Sequence, residues 1–492
     1  MKMTNKRTII GLLGVLVITQ CLNYYCFIGL ERTQPVSSFG FQETTNNKLN
    51  TSSLENKFSF FENQISKYEN QQQNFTSTNS NKALSFFSNH STYLGGNNVD
   101  YTLCVAVDGE GNIVVAGRTS STNFPTVNAY QSTYGGGDYD VFVTKFSADG
   151  QSLIFSTYFG GSGDDGSWDV AVDSIGNIII TGYTGSVNFP TLNAYDPLIN
   201  GTTDAFIAKF SADGQTLLFS TYFGGSSVEE GWNVAIDATD NIVITGYTGS
   251  TNFPTVNAYQ GSKEGGEDAF IAKFSADGQT LLFSTFIGGN ANDQGWRVAI
   301  NETGSIVVTG ITSSINFPTV NAYQEIKRSG LDVFVAQFGS DGQTLIFSTF
   351  LGGNEDDYTQ GVGFDALGNI VVSGITFSSN FPTKNAYQES KNSRGDAYIT
   401  KFYTGDQSLV FSTFLGGYGD DFAYGIAFDK NNNILFTGHT SSPDFPTVNA
   451  SQENHAGGGS EFEDALVVKL SADGQSLIFS TYLGGSDDDY GL

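Results

Sequence analysis

Basic residues, cysteine and histidine are all scarce in this chain of 492 residues. Lys and Arg together number 22 against 50 Asp and Glu, which gives a formal net charge of −28. Nucleic acid and anionic membrane surfaces recruit proteins through basic patches, so neither is expected as the main partner. Three Cys exclude a disulfide scaffold, and three His leave little for a histidine-based metal centre.

Proline is also rare, with nine residues, whereas glycine and aromatic residues are abundant. The chain has 59 Gly, and 14% of its residues are Phe, Trp or Tyr. Glycine forms turns and aromatic side chains pack well on sheets, so this balance favours β structure. A hydrophobic fraction of 39% excludes a chain that is disordered throughout.

The first thirty residues predict an export signal. Lys2, Lys6 and Arg7 precede a mainly apolar run of 23 residues from Thr8 to Leu30, which is long enough to span a bilayer. Because basic residues flank its N-terminal side, the remainder of the chain is expected outside the cytoplasm. An uncleaved signal anchor over residues 1–30 is favoured over a cleaved signal peptide, since no small-residue cleavage site is present. A lipoprotein signal is the third alternative.

Two regions follow the export signal. Residues 31–82 are rich in Asn, Gln, Ser and Thr and predict a flexible tether. In residues 83–492 one phrase recurs, Ser-Thr-(Tyr/Phe)-(Leu/Phe/Ile)-Gly-Gly, at intervals of 64 to 68 residues. Its copies begin at Ser91, Ser156, Ser220, Ser284, Ser348, Ser412 and Ser480. A fixed period of this size indicates a repeat architecture rather than separate domains.

Each unit predicts four short strands, which we name A to D. In the second unit they cover residues 170–172, 178–182, 205–210 and 217–222. Strands B and D carry apolar residues on both faces, so each sheet should be covered on both sides. A four-stranded antiparallel unit of this kind, repeated in line, is a propeller blade. The centre of strand A is always Ala or Gly, which we expect to face a crowded propeller axis.

The connection from strand B to strand C is long and carries Phe-Pro-Thr in every unit. It begins at residues 124, 189, 253, 317, 381 and 445. A motif present in all six units is expected to anchor the loop by packing, because a ligand site seldom needs six copies.

Several segments of the last units resemble the SBBP β-propeller repeat family. They are Gly-Ile-Ala-Phe-Asp at 425–429, Asn-Ile-Leu-Phe-Thr-Gly at 433–438, Phe-Pro-Thr at 445–447 and Ser-Thr-Tyr-Leu-Gly-Gly at 480–485. Strands A and B also resemble NHL-type propeller repeats. The likeness covers roughly residues 91–492 and implies an all-β propeller. It implies little about activity, because the family is mostly described as exported proteins of unassigned function.

The number of blades follows from the copies of each strand. Strands A to C occur six times and the strand D phrase seven times, although the first copy is weak because Ser88-Asn89-His90 replaces an apolar triplet. The last residues, Tyr490-Gly491-Leu492, align with the start of strand A. We therefore predict six complete blades, and seven or more if the chain is a fragment of a longer protein.

Differences between the blades are the best guide to a ligand site in a repeat protein. Trp168, Trp232 and Trp296 hold the same position in three successive units, where the D–A connection enters the innermost strand. This position should lie near the mouth of the central channel. Three neighbouring indoles would stack on sugar rings or seat an apolar partner. The alternative is that they fill gaps between blades.

Acidic residues recur in the D–A connections. They include Asp164, Asp165, Glu355, Asp356, Asp357, Asp420 and Asp421. Three interpretations compete: a solvated negative face, a calcium site built from paired carboxylates and loop carbonyls, and the acid pair of a glycosidase. No Asp-x-Asp-x-Asp-Gly loop is present, and catalysis needs one asymmetric constellation, so the solvated face is favoured.

Together these features predict an exported propeller, membrane-anchored through its N-terminal helix, or secreted if that segment is cleaved. We expect non-catalytic binding, adhesion or a structural role at the cell surface, with a glycan or protein ligand. The alternatives are an extracellular glycan-acting enzyme, a lyase or glycosidase with its site at the channel mouth, and a calcium-binding surface propeller. No catalytic residue is assigned, and calcium is the one cofactor considered.

Overall fold

The part of the chain that the structure describes forms an all-β propeller of six blades. The computed structural model describes residues 92–457 and 462–491. These residues form six sheets of four antiparallel strands, and neighbours in each sheet are neighbours in the chain. Within the described residues no helix has the length and apolar character that a membrane crossing needs. The predicted export signal (1–30) and tether (31–82) lie outside the described residues.

The blades follow one another along the chain and have closely similar strand lengths. Blade 1 contains β1 (Asp100–Val107), β2 (Ile113–Thr119), β3 (Asp140–Phe146) and β4 (Leu153–Phe159), and blade 2 contains β5 (Asp165–Val172), β6 (Ile178–Thr184), β7 (Asp204–Phe210) and β8 (Leu217–Phe223). Blade 3 contains β9 (Glu229–Ile236), β10 (Ile242–Thr248), β11 (Asp268–Phe274) and β12 (Leu281–Ile287), and blade 4 contains β13 (Asp293–Ile300), β14 (Ile306–Thr312), β15 (Asp332–Phe338) and β16 (Leu345–Leu351). Blade 5 contains β17 (Asp357–Phe364), β18 (Ile370–Thr376), β19 (Asp396–Phe402) and β20 (Leu409–Leu415), and blade 6 contains β21 (Asp421–Phe428), β22 (Ile434–Thr440), β23 (Asp464–Leu470) and β24 (Leu477–Leu483).

Strand A is longer than predicted. In blade 2 it begins at Asp165, five residues before the predicted start at Val170. The first residue of strand A is also acidic and fully buried in the four blades that follow, at Glu229, Asp293, Asp357 and Asp421. These acids, expected on a solvated loop, are therefore part of the sheet.

Five apolar cores lie between adjacent blades. The core between blades 2 and 3, for example, joins Ile179 and Phe219 to Ile244 and Phe270. This packing explains why strands B and D are apolar on both faces, since each sheet is covered by a neighbour on either side. A further cluster around Phe142 consists, among the described residues, of blade 1 side chains and Leu94, which precedes β1.

The small residue at the centre of strand A faces a blade junction rather than the axis. Ala171 packs into the core between blades 2 and 3. A Cβ atom at Gly363 would lie 2.8 Å from the ring of Phe428 in the next blade. The expectation of crowding at the axis was therefore wrong, because the space is taken by the innermost strand of the following blade.

The B–C loops run along the outer edge of each blade. In blade 2, Leu192 and Ser220 exchange backbone hydrogen bonds of 3.1 and 2.8 Å, so the loop pairs with the outermost strand. Asn193 takes a left-handed conformation (φ 49°) and its side chain donates to the carbonyl oxygen of Leu218 at 3.0 Å. Phe189 of Phe-Pro-Thr is buried against Phe159 of the preceding blade, with 4.8 Å between ring centroids. The predicted packing role of this motif is confirmed.

Lysine residues on strand C form ion pairs within their own blade at the end opposite the B–C loops, and in blades 1, 2 and 5 they also bond to the next blade. Lys209 Nζ lies 2.9 Å from Asp173 Oδ2, and it also donates to the carbonyl oxygen of Ala276 in blade 3 at 3.0 Å. Burial alone would raise the pKa of Asp173, but hydrogen bonds from Lys209 and Asn177 outweigh it and lower the pKa. The same pair joins Lys145 to Asp108, Lys273 to Asp237, Lys401 to Asp365 and Lys469 to Asp429, at 2.7 to 2.8 Å.

Candidate functional site

The six innermost strands surround one central cavity of about 510 Å³. Consecutive residues of each strand form its wall, at 103–105, 168–169, 232–234, 296–298, 360–362 and 424–426. A volume of this size is typical of sites that bind small molecules. The channel is therefore the concave site in which ligand chemistry is sought.

A β-bulge explains why consecutive residues reach the channel. In blade 2 the pairing of β5 with β6 shifts between Ser167 and Asp169, which leaves Trp168 without a partner on β6. The same shift occurs in every blade. Side chains of a regular strand alternate between two faces, and an extra residue breaks the alternation. Trp168 and Asp169 therefore both line the channel.

The bulge also explains a glycine that recurs near the end of strand B. A Cβ atom at Gly182 would lie 1.9 Å from the carbonyl oxygen of Gly166 on the bulged strand. No residue with a side chain fits so close to a backbone atom. The equivalent glycines, with 1.8 or 1.9 Å to a carbonyl oxygen, are Gly117, Gly246, Gly310, Gly374 and Gly438.

The three tryptophans form a crescent on one side of the channel. The ring centroids of Trp168 and Trp232 are 6.2 Å apart, and those of Trp232 and Trp296 are 5.2 Å apart. Each side chain is half-buried and lines the cavity. The indoles therefore pack on one another across blade junctions and still present part of their surface to the channel. Leu103, Gln360 and Tyr424 complete the ring.

Glu230 holds two of the indoles in place. Trp168 Nε1 and Trp232 Nε1 both donate to Glu230 Oε2, at 2.9 and 2.8 Å. Tyr247 donates its hydroxyl to Glu230 Oε1 at 3.0 Å. Because these two indole N–H groups are occupied, a ligand would meet Trp168 and Trp232 through their ring surfaces.

Arg118 extends this aromatic wall to blade 1. Its guanidinium carbon lies 5.2 Å from the ring centroid of Tyr101, 4.9 Å from that of Tyr139 and 5.2 Å from that of Trp168. A cation placed between aromatic faces is attracted by their quadrupoles and stiffens the cluster. The wall therefore runs without a break from blade 1 to blade 4.

Sequence reasoning missed a second layer of the site. Asp169, Asn233 and Arg297 follow the three tryptophans directly and also line the channel. The equivalent residues in the other blades are Cys104, Gly361 and Gly425. Comparison of this position between blades would have revealed the polar trio. Regular alternation along a strand, however, predicts that it points away from the tryptophans, and the bulge does not show in the sequence.

The polar trio links neighbouring blades. Asp169 Oδ2 accepts from Asn233 Nδ2 at 2.6 Å and from the backbone N–H of Val234 at 2.9 Å. Asn233 Oδ1 accepts from the backbone N–H of Val298 at 2.8 Å. Burial raises the pKa of Asp169 to about 6. The trio therefore fixes the wall of the channel and places a charge of each sign in it.

The acidic neighbours proposed as calcium ligands do not share a site. Asp165, Asp357 and Asp421 are fully buried, whereas Asp164 and Glu355 are exposed. The half-buried acids hold loop backbone: Asp356 Oδ1 accepts from the N–H of Leu331 at 2.8 Å, and Asp420 Oδ1 from that of Gly395 at 3.0 Å. In the described part of the chain no group of three or more His, Cys, Asp or Glu is arranged to hold a metal ion.

The buried acids pair instead with acids about 25 residues away. A Cβ atom at Gly160 would lie 2.7 Å from Asp140 Oδ1 and 2.8 Å from Asp165 Oδ2, so both carboxyl groups converge on the first glycine of Gly-Gly. Burial raises the pKa of Asp140 to about 7, and the nearby charge of Asp165 contributes to this rise. Equivalent pairs are Asp204 with Glu229, Asp268 with Asp293, Asp332 with Asp357 and Asp396 with Asp421. These junction pairs explain the recurring glycine.

The fold and its repeated unit define a β-propeller repeat protein. More particularly, the family model for the SBBP β-propeller repeat matches the chain at residues 91–125 and 410–446. The first segment begins at the first Ser-Thr-(Tyr/Phe)-(Leu/Phe/Ile)-Gly-Gly phrase, the second begins two residues before the sixth, and both end at Phe-Pro of a B–C loop. The chain therefore carries SBBP repeats, as the resemblance of its motifs implies.

A curated relative shares part of this sequence. An uncharacterized WD repeat-containing protein of Acanthamoeba polyphaga mimivirus is 23% identical over 406 residues, which cover 68% of this chain. The chain spans 27% of the length of that relative.

Solved structures align with the propeller at low identity. A protein of unknown function from Bacteroides caccae matches with 10% identity and a TM-score of 0.36, covering 71% of this chain and 92% of that one. A protein of unknown function from Dyadobacter fermentans matches with 13% identity and a TM-score of 0.37, covering 72% and 94%. The Dos1 propeller matches with 9% identity and a TM-score of 0.36, covering 69% and 64%.

Proposed function

We propose that this chain is an exported, membrane-tethered propeller that binds a cell-surface glycan or protein in its central channel without catalysing a reaction. The observation that carries the proposal is the asymmetry of the channel. Blades 2 to 4 each present a tryptophan followed by a charged or amide side chain, whereas blades 1, 5 and 6 present Leu103-Cys104, Gln360-Gly361 and Tyr424-Gly425 at the same positions. A purely structural ring has no need of such a difference between otherwise similar blades.

The aromatic crescent supports a ligand with a flat apolar face. Trp168, Trp232 and Trp296 are half-buried, and their arrangement places a curved aromatic wall along one side of a cavity of about 510 Å³. Sugar rings and apolar side chains both stack on such surfaces.

The export part of the proposal is supported by Lys2, Lys6 and Arg7 before the apolar segment at 8–30.

A glycan array probed with the full chain tests the binding proposal. We expect a variant with Trp168→Ala, Trp232→Ala and Trp296→Ala to lose binding by at least about tenfold, since each stacked ring contributes roughly 0.5–1.5 kcal/mol. The matched variant with Phe at all three positions keeps an aromatic face and should retain most of the affinity. Melting curves of both variants report whether the propeller remains folded.

Two outcomes would contradict this role for the tryptophans. Unchanged binding by the alanine variant would place the ligand elsewhere. Complete unfolding of that variant would show that the indoles serve to fill the blade junctions.

An extracellular glycan-acting enzyme, a lyase or glycosidase, is the second candidate. The observation that favours it is Asp169, a channel carboxyl group whose pKa burial raises to about 6. A carboxyl group of raised pKa is suited to donate a proton in catalysis. A product assay on each glycan bound in the array separates the two: turnover would establish the enzyme, and binding without turnover would support the binding module.

A calcium-binding surface propeller is the third candidate. The Oδ1 atoms of Asp140 and Asp464 are buried without a hydrogen-bond partner among the described residues. A ligand that binds only the folded state raises the melting temperature in proportion to the logarithm of its concentration. Under this proposal we expect such a rise with added calcium chloride, and an equal response to magnesium or sodium chloride would contradict a specific site.

A further inference from the structure

Two charges of opposite sign face the channel and act on each other without touching in an ion pair. Asp169 on β5 and Arg297 on β13 line the same cavity and are both half-buried. Among the described residues, the ion pairs within 4.0 Å include neither of them. A buried charge is costly unless it is compensated, so this arrangement calls for an explanation.

The bonds that Arg297 already makes are to neutral oxygen atoms. Its Nε donates to the carbonyl oxygen of Gln360 at 2.9 Å, and Nη1 donates to that of Trp296 at 3.0 Å. Nη2 donates to Gln360 Oε1 at 3.4 Å. These contacts fix the plane of the guanidinium group without bringing a charged atom into contact with it. Burial lowers the pKa of Arg297, and the charge of Asp169 offsets only part of that effect.

Asp169 carries a negative charge and, like Arg297, makes hydrogen bonds only with neutral groups. Its partners, the side-chain amide of Asn233 and the backbone N–H of Val234, are neutral donors. Burial raises its pKa, so the negative charge is also under-compensated. A cation placed in the channel would therefore be favoured at Asp169, and an anion at Arg297.

Besides the two charges, the cavity has an apolar surface that a ligand would contact. At the position of the polar trio, blades 5 and 6 carry Gly361 and Gly425, which have no side chain to fill the channel, and at Gly425 a Cβ atom would meet no other atom within 3.9 Å. The tryptophan crescent above supplies an apolar surface. The cavity therefore offers an anion site, a cation site and an aromatic wall within about 510 Å³.

We infer that the channel binds a zwitterionic molecule of amino-acid or dipeptide size, with its carboxylate at Arg297 and its ammonium group at Asp169. Arginine presents parallel N–H donors that match the two oxygen atoms of a carboxylate. An apolar side chain of the ligand would lie against the tryptophan crescent. This inference rests on the proposed function, because it names the ligand class of the same site.

Isothermal titration calorimetry on the full chain tests the inference with four probes. They are L-phenylalanine, the dipeptide Gly-Phe, N-acetyl-L-phenylalanine, which lacks the ammonium group, and L-phenylalanine amide, which lacks the carboxylate. We expect the two zwitterions to bind at least about tenfold more tightly than either capped molecule, since charge-assisted hydrogen bonds contribute more than neutral ones.

Two variants assign each charge to its partner. Asp169→Asn should remove the preference for L-phenylalanine over its N-acetyl form, and Arg297→Gln should remove the preference over its amide. Both substitutions keep polar atoms of similar size at the blade junctions. Asp164→Asn removes one negative charge from an exposed residue of the same blade and should change neither preference.

The outcomes separate this inference from the proposed function. Equal binding of capped and uncapped probes, or no binding of any probe, would overturn the zwitterion site. If glycan or protein ligands still bind through the tryptophans in that case, the proposed function stands alone. If a variant fails to fold, the comparison of the four probes on the unaltered chain still decides the inference.

Discussion

Replacing Lys209 by methionine is expected to lower the free energy of unfolding by about 3 kcal/mol. The substitution leaves Asp173, whose side chain is only 2% exposed, without its counter-ion. It also leaves the carbonyl oxygen of Ala276 in the next blade without its donor. Removing one partner of a buried ion pair typically costs about 3–5 kcal/mol, because the other charge stays buried. Urea denaturation of the variant and the unaltered protein measures the difference.

Blade 4 offers the control for this experiment. At the two equivalent positions it carries neutral residues, Asn301 and Gln337. The double variant Asp173→Asn with Lys209→Gln should therefore recover most of the stability lost in Lys209→Met. A double variant as unstable as the single one would show that the charge itself was not responsible.

The free energy of unfolding is also expected to fall by several kcal/mol as the pH rises from about 5 to about 8. The cause is the set of junction pairs, in which burial raises carboxyl pKa values. The pKa reaches about 7 for Asp140 and about 8 for Asp421. It is also raised for Asp165, Asp204, Asp268, Asp293, Asp332 and Asp357. One pKa unit corresponds to about 1.4 kcal/mol, so even modest shifts add up.

The direction follows from proton binding. The folded protein keeps protons on these groups that the unfolded chain has released above about pH 4, so acid favours the folded state. Their contribution is complete below that pH and declines as the pH rises through the folded-state pKa values. The Asp residues paired with Lys, such as Asp173, have lowered pKa values and lose their contribution only in stronger acid. Burial lowers the pKa of His439 to about 3, which opposes the trend with a single group.

Denaturation at a series of pH values tests this expectation. Asp140→Asn imitates the protonated acid and should be more stable than the unaltered protein at about pH 8 and less dependent on pH. Asp138→Asn removes a charge from an exposed residue nearby and controls for general repulsion in a chain of net charge −28. Stability that stays constant or rises between pH 5 and pH 8 would contradict the assignment.

Much of the fold can be predicted from the sequence because the sequence of one blade recurs six times. The period, the four strands of each blade and the tight turns all follow from patterns that recur in step. Gly176 and Gly214, for example, have positive φ angles of 89° and 70°, as the turn residues predict. A strand pattern that is ambiguous in one segment becomes clear when it recurs in six, so the sequence alone predicts the architecture.

Only part of the candidate site can be predicted from the sequence. The tryptophans are visible in the sequence because they break the symmetry of the repeat. Asp169 and Arg297 break it too, but the bulge that turns them towards the channel has no signature of its own. The junction pair of Asp140 and Asp165 joins residues 25 positions apart on different blades, whereas proximity along the chain suggested Asp164 with Asp165. Register and long-range pairing are properties of the folded sheet.

The B–C loops that pair with the outermost strands also affect how the protein behaves at high concentration. An uncovered edge strand exposes a row of N–H and C=O groups, on which a neighbouring molecule can add a strand of its own and begin a fibre. In blade 2 the loop already occupies the N–H and C=O of Ser220, and the equivalent bonds recur at Ser156, Ser284, Ser348, Ser412 and Ser480. This protection comes from occupied hydrogen-bonding groups and is not screened by salt, unlike repulsion between chains of net charge −28. We therefore expect the outer strands to resist edge-to-edge pairing at high ionic strength, where that repulsion is screened.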